Sequence, residues 1–150
     1  MELKIIPAVQ VIIVMLLMKV IHHTLPSFNY VMSHSASLVL LFTALATIIG
    51  FLAVFSFRKH KTTVNPSKPE LSSKVVNTGI YHFSRNPMYL AMLLALIAFA
   101  FHLENLLTFL LCPVFFAYIG KYQILPEELM LKKLFGAEYL MYQQQVRRWL

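Results

Sequence analysis

The sequence predicts an all-α integral membrane protein: four transmembrane helices, a tight hairpin between the third and fourth, and a C-terminal amphipathic helix on the cytoplasmic side. Three observations lead there. Hydrophobic residues make up 59% of the 150 and charged residues 13%, against about 45–50% and roughly 25% in an ordinary soluble domain. The mean hydropathy is +0.69. The apolar residues gather into four runs, with the basic residues in alternate segments between them. Too little polar surface remains to cover a water-soluble globule, so residues 1–150 read as a single membrane domain.

The first run, residues 5–21, carries Lys19 near its end, from where a long side chain snorkels to the interface. Its basic n-region is weak and no small-residue cleavage site follows, so it is expected to be a retained span and not a signal peptide. The second, residues 37–57, holds 21 residues without a charge, enough to cross a hydrocarbon core of about 30 Å. The third and fourth, residues 87–103 and 106–125, are separated only by Glu104-Asn105. Pro113 is expected to kink the fourth helix, a neighbouring helix re-satisfying the freed carbonyl. Beside it stands the single cysteine, Cys112. One cysteine excludes an intramolecular disulfide, and in an apolar run it reads as a small buried hydrophobe.

Orientation follows from the basic residues. The 13 Lys and Arg outnumber the six acids to give a formal charge of +7, but their positions matter more than their sum, and no nucleic-acid partner is expected. Arg58, Lys59, Lys61, Lys68, Lys74 and Arg85 lie in the second loop; Lys121 stands near the end of the fourth run, and Lys132, Lys133, Arg147 and Arg148 follow it. Residues 22–36 and the turn between runs three and four contain neither Lys nor Arg. This positive-inside alternation places both termini in the cytoplasm. The brevity of the chain and the absence of an extramembrane domain point to a prokaryotic inner membrane.

Two cytoplasmic segments remain: the loop 58–86 and the tail 126–150. A loop of 29 residues is long enough to suggest function or disorder. In the tail, Leu131, Phe135, Tyr139 or Tyr142, Val146 and Trp149 recur at helical spacing. They predict an interfacial amphipathic helix, with Trp149 at the boundary and a break at Gly136.

The end of the loop runs Asn77-Thr78-Gly79-Ile80-Tyr81-His82-Phe83-Ser84-Arg85-Asn86-Pro87-Met88-Tyr89. Read structurally, Pro87 opens a helix, where its missing N–H costs nothing, Asn86 caps it, and Arg85 faces lipid phosphates. Read functionally, a helix N-terminus flanked by Arg85 is an anion site, and Gly79 lets backbone approach a ligand closely. The second constellation, Pro126-Glu127-Glu128, puts paired acids at a helix start, which suits the macrodipole. Yet they stand close to the bilayer boundary, where an unpaired carboxylate is expensive. In an antiparallel hairpin the two constellations lie side by side. Six histidines show no i, i+4 pairing, and no metal is expected. None of the six acids falls mid-span, which argues against a transporter.

These residues resemble the membrane methyltransferases related to isoprenylcysteine carboxyl methyltransferase and the phospholipid methyltransferases. The likeness runs from about Thr62 to Trp149. It rests on Val76-Asn77-Thr78-Gly79-Ile80-Tyr81, Arg85-Asn86-Pro87-Met88-Tyr89, Glu127-Glu128-Leu129-Met130-Leu131, Phe135-Gly136-Ala137-Glu138-Tyr139 with Tyr142, and Val146-Arg147-Arg148, in order and spacing.

The resemblance implies S-adenosylmethionine as methyl donor and a hydrophobic or lipid-like acceptor reached from the membrane lipids. It implies Val76, Gly79, Tyr81, Asn86, Pro87, Met88 and Tyr89 as cofactor-binding residues, with Glu127 or Glu128 on the ribose or amino group. Arg85 and Glu128 are the candidates for catalytic roles, and Lys121 for acceptor binding. Two departures separate this chain from the prenylcysteine enzymes: Asn86 stands in place of His, and Lys121 lies near the position of a substrate-binding Arg. Lys cannot reproduce the bidentate carboxylate contact of Arg. The competing readings are a four-helix membrane scaffold and a lipid oxidoreductase sharing the hairpin, which nicotinamide binding would reveal.

Overall fold

The computed structural model describes residues 6–59 and 75–150. Ile5, the acid Glu2, and the loop residues His60, Lys61, Thr62, Lys68, Glu70 and Lys74 lie outside them. The described chain is mostly helical, with no strand among the described residues and one isolated β-bridge between Asn29 and Asn105. Helix α1 spans Pro7–Thr24, α2 Ser35–Lys59, α3 Pro87–Leu103, α4 Leu111–Ile119, α5 Leu125–Phe135 and α6 Ala137–Gln145. A 3-10 segment Leu106–Leu110 and a π turn Gly120–Ile124 join α4 to its neighbours, making residues 106–135 one continuous helical path. Among the described residues, three helices are long and apolar enough to cross a membrane: Pro7–Thr24, Ser35–Lys59 and Leu106–Phe135. α3 is apolar but shorter.

α3 is the centre of the bundle, with seven buried residues where α2 has two. Its apolar surface packs with Met18 of α1 and with Cys112, Phe115 and Ile119 of α4 in one core. Cys112 is the buried small hydrophobe its surroundings predict. Along its other side α3 runs antiparallel to α2: Phe42 stacks on Phe101 at 5.6 Å, and a Cβ on Gly50 would meet the Ala91 Cβ at 3.6 Å. Small residues let backbones close in where lipid offers no hydrophobic penalty for separation. The outward faces of α1, α2 and α4 stay apolar and exposed, through Ile12, Leu16, Leu40, Phe51 and Val114 among others.

Glu104, left-handed at φ 47°, turns the chain after α3. Asn105 is fully buried there, donating to the Leu25 carbonyl at 3.1 Å and the Asn29 Oδ1 at 2.7 Å. It also caps the next helix by accepting from the Leu107 N–H. This end ties the α1–α2 connection to the α3–α4 turn. Phe101 meets Phe109 edge-on at 4.8 Å, and the opposite end of α3 reaches α5 through Tyr89 and Glu127. α3 and the 106–135 path are therefore antiparallel.

Three expectations are corrected. First, the distortion of the fourth helix is not centred on Pro113, which is the third residue of α4 and directly follows the 3-10 segment. The wider irregularity is the π turn. Pro126 lacks an N–H and crowds the carbonyl four residues back; the π turn just ahead of it makes the room, so the helix passes through Pro126 instead of restarting there. Second, the tail breaks at Gly136 as the sequence suggests, but it is not helical to its end. Gly136, at φ 53°, separates α5 from α6, and α6 ends at Gln145 with Val146 extended. Third, its apolar stripe faces protein: Tyr139, Tyr142 and Val146 are buried against Val75, Leu131 and Phe135. Trp149 stacks on Phe116 of α4 at 4.6 Å.

Candidate functional site

The start of α3, the π turn with the start of α5, and the tail converge at the end of the bundle where α2 closes on Arg58 and Lys59. Pro87 opens α3 as its first residue. Asn86 holds the N-cap position, but its side chain makes no cap hydrogen bond. Its amide instead donates to the Arg148 carbonyl at 2.9 Å, while its own N–H is held by the Ser84 Oγ. The Arg85 N–H donates to the Arg147 carbonyl at 3.0 Å. The expected Asn cap is thus a strap for the tail.

The two acids differ sharply in their partners. Glu128 is buried and lies 3.2 Å from the Arg85 Nη2. Arg148 grips it at both oxygens, Nε to Oε1 at 3.1 Å and Nη2 to Oε2 at 2.5 Å, the bidentate geometry that suits a guanidinium. That hydrogen bonding holds the Arg148 pKa above its ordinary value. Glu127 is held by neutral donors: the Tyr89 hydroxyl at 2.5 Å and the Gln123 amide at 2.7 Å, both on Oε1.

Before α3, Gly79 at φ +62° opens a short 3-10 turn with a built Cβ only 3.1 Å from the Ser56 Oγ. Glycine is needed twice over, for the left-handed backbone and for the space. Val76 and Tyr81 are buried with Ala53 of α2, and Met88 packs against them. The Tyr81 carbonyl accepts from the Tyr142 hydroxyl at 2.7 Å. Burial raises the Tyr81 pKa, with Tyr142 and Glu127 adding to it. Burial likewise raises Tyr139 and Tyr142, assisted by Glu128 and by Tyr139 respectively.

The structure brings together Arg85, Asn86, Tyr89, Glu127 and Glu128, with Val76, Tyr81, Pro87 and Met88 in the adjoining wall. Lys121 stays apart: it is exposed, its ammonium 5.3 Å above the Tyr122 ring. Sequence reasoning missed Gln123, which is only 1% exposed, and gave Arg148 no place in the site. A lone glutamine within an apolar run, four residues ahead of Glu127, was the signal available for the first. For the second the signal was the closing Val146-Arg147-Arg148 segment of the resemblance, since no helical period reaches it.

No solved structure matches the chain. A protein of Haemophilus influenzae described as uncharacterized is 46% identical over 63 residues, which is all of that protein and 42% of this chain. The family model for phospholipid methyltransferase matches residues 30–138, a stretch containing the glycine turn, the start of α3, the paired acids and the turn into α6. By that match over most of its length, the chain belongs to the phospholipid methyltransferase family of membrane enzymes.

Proposed function

We propose that this protein transfers a methyl group from S-adenosylmethionine to a hydrophobic or lipid-like acceptor at the cytoplasmic face of an inner membrane. It does so as a four-span protein in which α3 and the 106–135 path form the hairpin and both termini are cytoplasmic. One observation carries the reading: the Arg85–Tyr89 stretch and the Glu127-Glu128 pair, 38 residues apart at Tyr89 and Glu127, meet through a direct hydrogen bond. Basic residues flank that end of the bundle, Arg58 and Lys59 on α2 and Lys132 and Lys133 on α5, which supports its cytoplasmic placement.

The residues present fit such a donor. The Arg85 Nε is buried and donates to nothing among the described residues, which leaves a cationic donor for a carboxylate. Among the described residues both hydrogen bonds to Glu127 end on Oε1, which leaves Oε2 for a diol or a cation. Gly79 keeps the wall formed by Val76, Tyr81 and Met88 close to the backbone turn. When bound, S-adenosylmethionine supplies a methyl already activated on its sulfonium. The protein's task is then to hold the reacting groups in line and keep water out, worth several kcal/mol of barrier through positioning alone. Arg85, Asn86, Glu128 and Arg148 hold the tail against the hairpin ends; Tyr89 and Gln123 orient Glu127. A groove of about 270 Å³ between α1 and α2, floored by Ala95 and Ala98 of α3, supports approach of an apolar chain from the bilayer.

The test is calorimetric titration of S-adenosylhomocysteine into detergent-purified protein, followed by incubation with methyl-labelled S-adenosylmethionine and a total lipid extract. Micromolar binding with label in the organic phase is expected. Binding of a nicotinamide dinucleotide in its place would favour the oxidoreductase reading, and no binding to a folded preparation the scaffold reading.

A further inference from the structure

The helical path from Leu106 to Phe135 holds 30 residues, about 45 Å at the α-helical rise, against about 30 Å of hydrocarbon. About ten of its residues therefore lie outside the apolar core. Tyr118 and Tyr122, both exposed and ring to ring at 4.8 Å, mark where that happens, with the Lys121 ammonium over the Tyr122 ring. Exposed tyrosines beside a lysine are the composition of a membrane–water boundary. α5 and α6 follow, at headgroup depth. Their inward side is taken up by protein: Glu128 meets Arg85 and Arg148, and Leu131 and Phe135 pack against Tyr139, Tyr142 and Val146. Yet the outward side is apolar too. Leu129 is 61% exposed and Met141 57%, with Leu134 and Leu140 exposed between them. Lys132 and Lys133 stand exposed in the same stretch and form no ion pair among the described residues. Lys133 lies one turn after Leu129, on the same face of α5. An apolar patch rimmed by charge marks an interaction surface.

We propose that the outward face of α5 and α6 docks on the headgroup layer of an anionic leaflet: Leu129, Leu134, Leu140 and Met141 enter between the headgroups, and Lys132 and Lys133 pair with lipid phosphates. Helices that mix exposed apolar side chains with lysines bind at that depth, their buried area and their charge adding. Charge selects the occupant. A second copy seated on this face by a two-fold axis would set lysine against lysine. Residues 60–74 hold Lys61, Lys68 and Lys74 against Glu70 alone, so that segment is repelled as well. The exposed acid of the two helices, Glu138, is outnumbered by the lysine pair and the exposed Arg147. Phosphates complement what remains. α5 carries the docking face on one side and Glu128 on the other, so a bound leaflet holds the site at the depth of the lipid headgroups. Docking of this kind needs only the bilayer placement of the 106–135 path and holds whether or not the site binds a methyl donor.

A fluorophore on Met141→Cys tests the placement, the native Cys112 being buried in the bundle core. The full chain is reconstituted in vesicles of phosphatidylcholine mixed with phosphatidylglycerol, a fraction of either lipid carrying a nitroxide next to its headgroup, with acrylamide as the aqueous quencher. The lipid nitroxide is expected to quench strongly and acrylamide weakly. Nitroxide on phosphatidylglycerol is expected to quench more than the same fraction on phosphatidylcholine. That preference reaches up to about fivefold for each lysine at low salt and shrinks as ionic strength rises. Lys132→Gln and Lys133→Gln together are expected to abolish the preference and to leave the detergent unfolding midpoint within a few degrees of the parent's, since both side chains are exposed. Gln144→Cys, labelled the same way, repeats the reading from a second exposed position. Three results overturn the docking: strong acrylamide quenching in the mixed vesicles, protection from both quenchers, and self-quenching that vanishes when labelled protein is diluted with unlabelled. They point in turn to open water, a covering segment and a second copy. A preference that survives the double change overturns the pairing of the lysines with phosphate.

Discussion

The side-chain amide of Asn86 donates to the main-chain carbonyl of Arg148 at 2.9 Å, joining the residue just before α3 to the tail 62 residues later. Only a side chain with an N–H at this reach can hold that carbonyl, which otherwise loses its partner in a part-buried setting. Asn86→Ala is expected to destabilise the protein by about 1–2 kcal/mol and to raise protease sensitivity within residues 146–150. Asn86→His, which also offers a ring N–H, is expected to retain most of the stability. Limited proteolysis with mass mapping checks both.

Glu128 faces two guanidiniums, and removing it leaves Arg85, whose side chain is 11% exposed, with no acid partner among the described residues. Breaking a buried pair from one side costs about 3–5 kcal/mol; because Arg148 is 40% exposed and its charge is screened by solvent, the lower end applies. Glu128→Ala is expected to cost about 3 kcal/mol in detergent unfolding. The double change Glu128→Leu with Arg85→Met, which leaves no buried charge behind, is expected to recover part of it.

Gly79 stands at φ +62° with the Ser56 Oγ in the way of any Cβ. Gly79→Ala is expected to cost about 1–2 kcal/mol from the left-handed backbone alone, plus the contact. Adding Ser56→Gly removes the contact but not the backbone term, so the double variant should stay below wild type. Denaturant titration of the two variants separates the contributions.

Alkaline stability follows from the tyrosines. Tyr81, Tyr139 and Tyr142 all have folded pKa values raised from 10.0, chiefly by burial. A raised folded value means the unfolded chain releases protons first. Their contribution is therefore complete below pH 10 and declines as the pH rises above it. The unfolding midpoint is expected to fall steadily above about pH 10, and Tyr139→Phe to flatten that fall. A midpoint series in detergent from pH 8 to 11 is the check.

Much of this was legible in the apolar pattern, because a bilayer forces long uninterrupted runs. The third run matches α3 to the residue, and Pro87 marks its start. The short Glu104-Asn105 link brought the two constellations to one end, as Tyr89 and Glu127 bear out geometrically. What was hidden depended on backbone events that leave no period. The extended stretch after Gln145 brings Arg148 back onto Glu128, and no helical spacing announces it. Asn86 misled because capping is its commonest use before a helix, whereas a more distant carbonyl took its amide. The tail stripe misled for a related reason: an apolar face shows that something covers it, not whether that is lipid or Val75.

The π turn at Gly120–Ile124 has a consequence for the helix that contains it. A turn of this kind accommodates one residue more than an α-turn, and one residue of an α-helix is about 100° of rotation. Residues before 120 and after 124 thus belong to two angular phases along one rod. The upstream phase fits the core around Phe115 and Ile119, and the downstream phase aims Glu127 and Glu128 at α3. Deleting a single residue between 120 and 124 would let this turn close to an ordinary α-turn. Glu127 and Glu128 would keep their face of the rod, but the Pro126 ring would meet the carbonyl four residues before it.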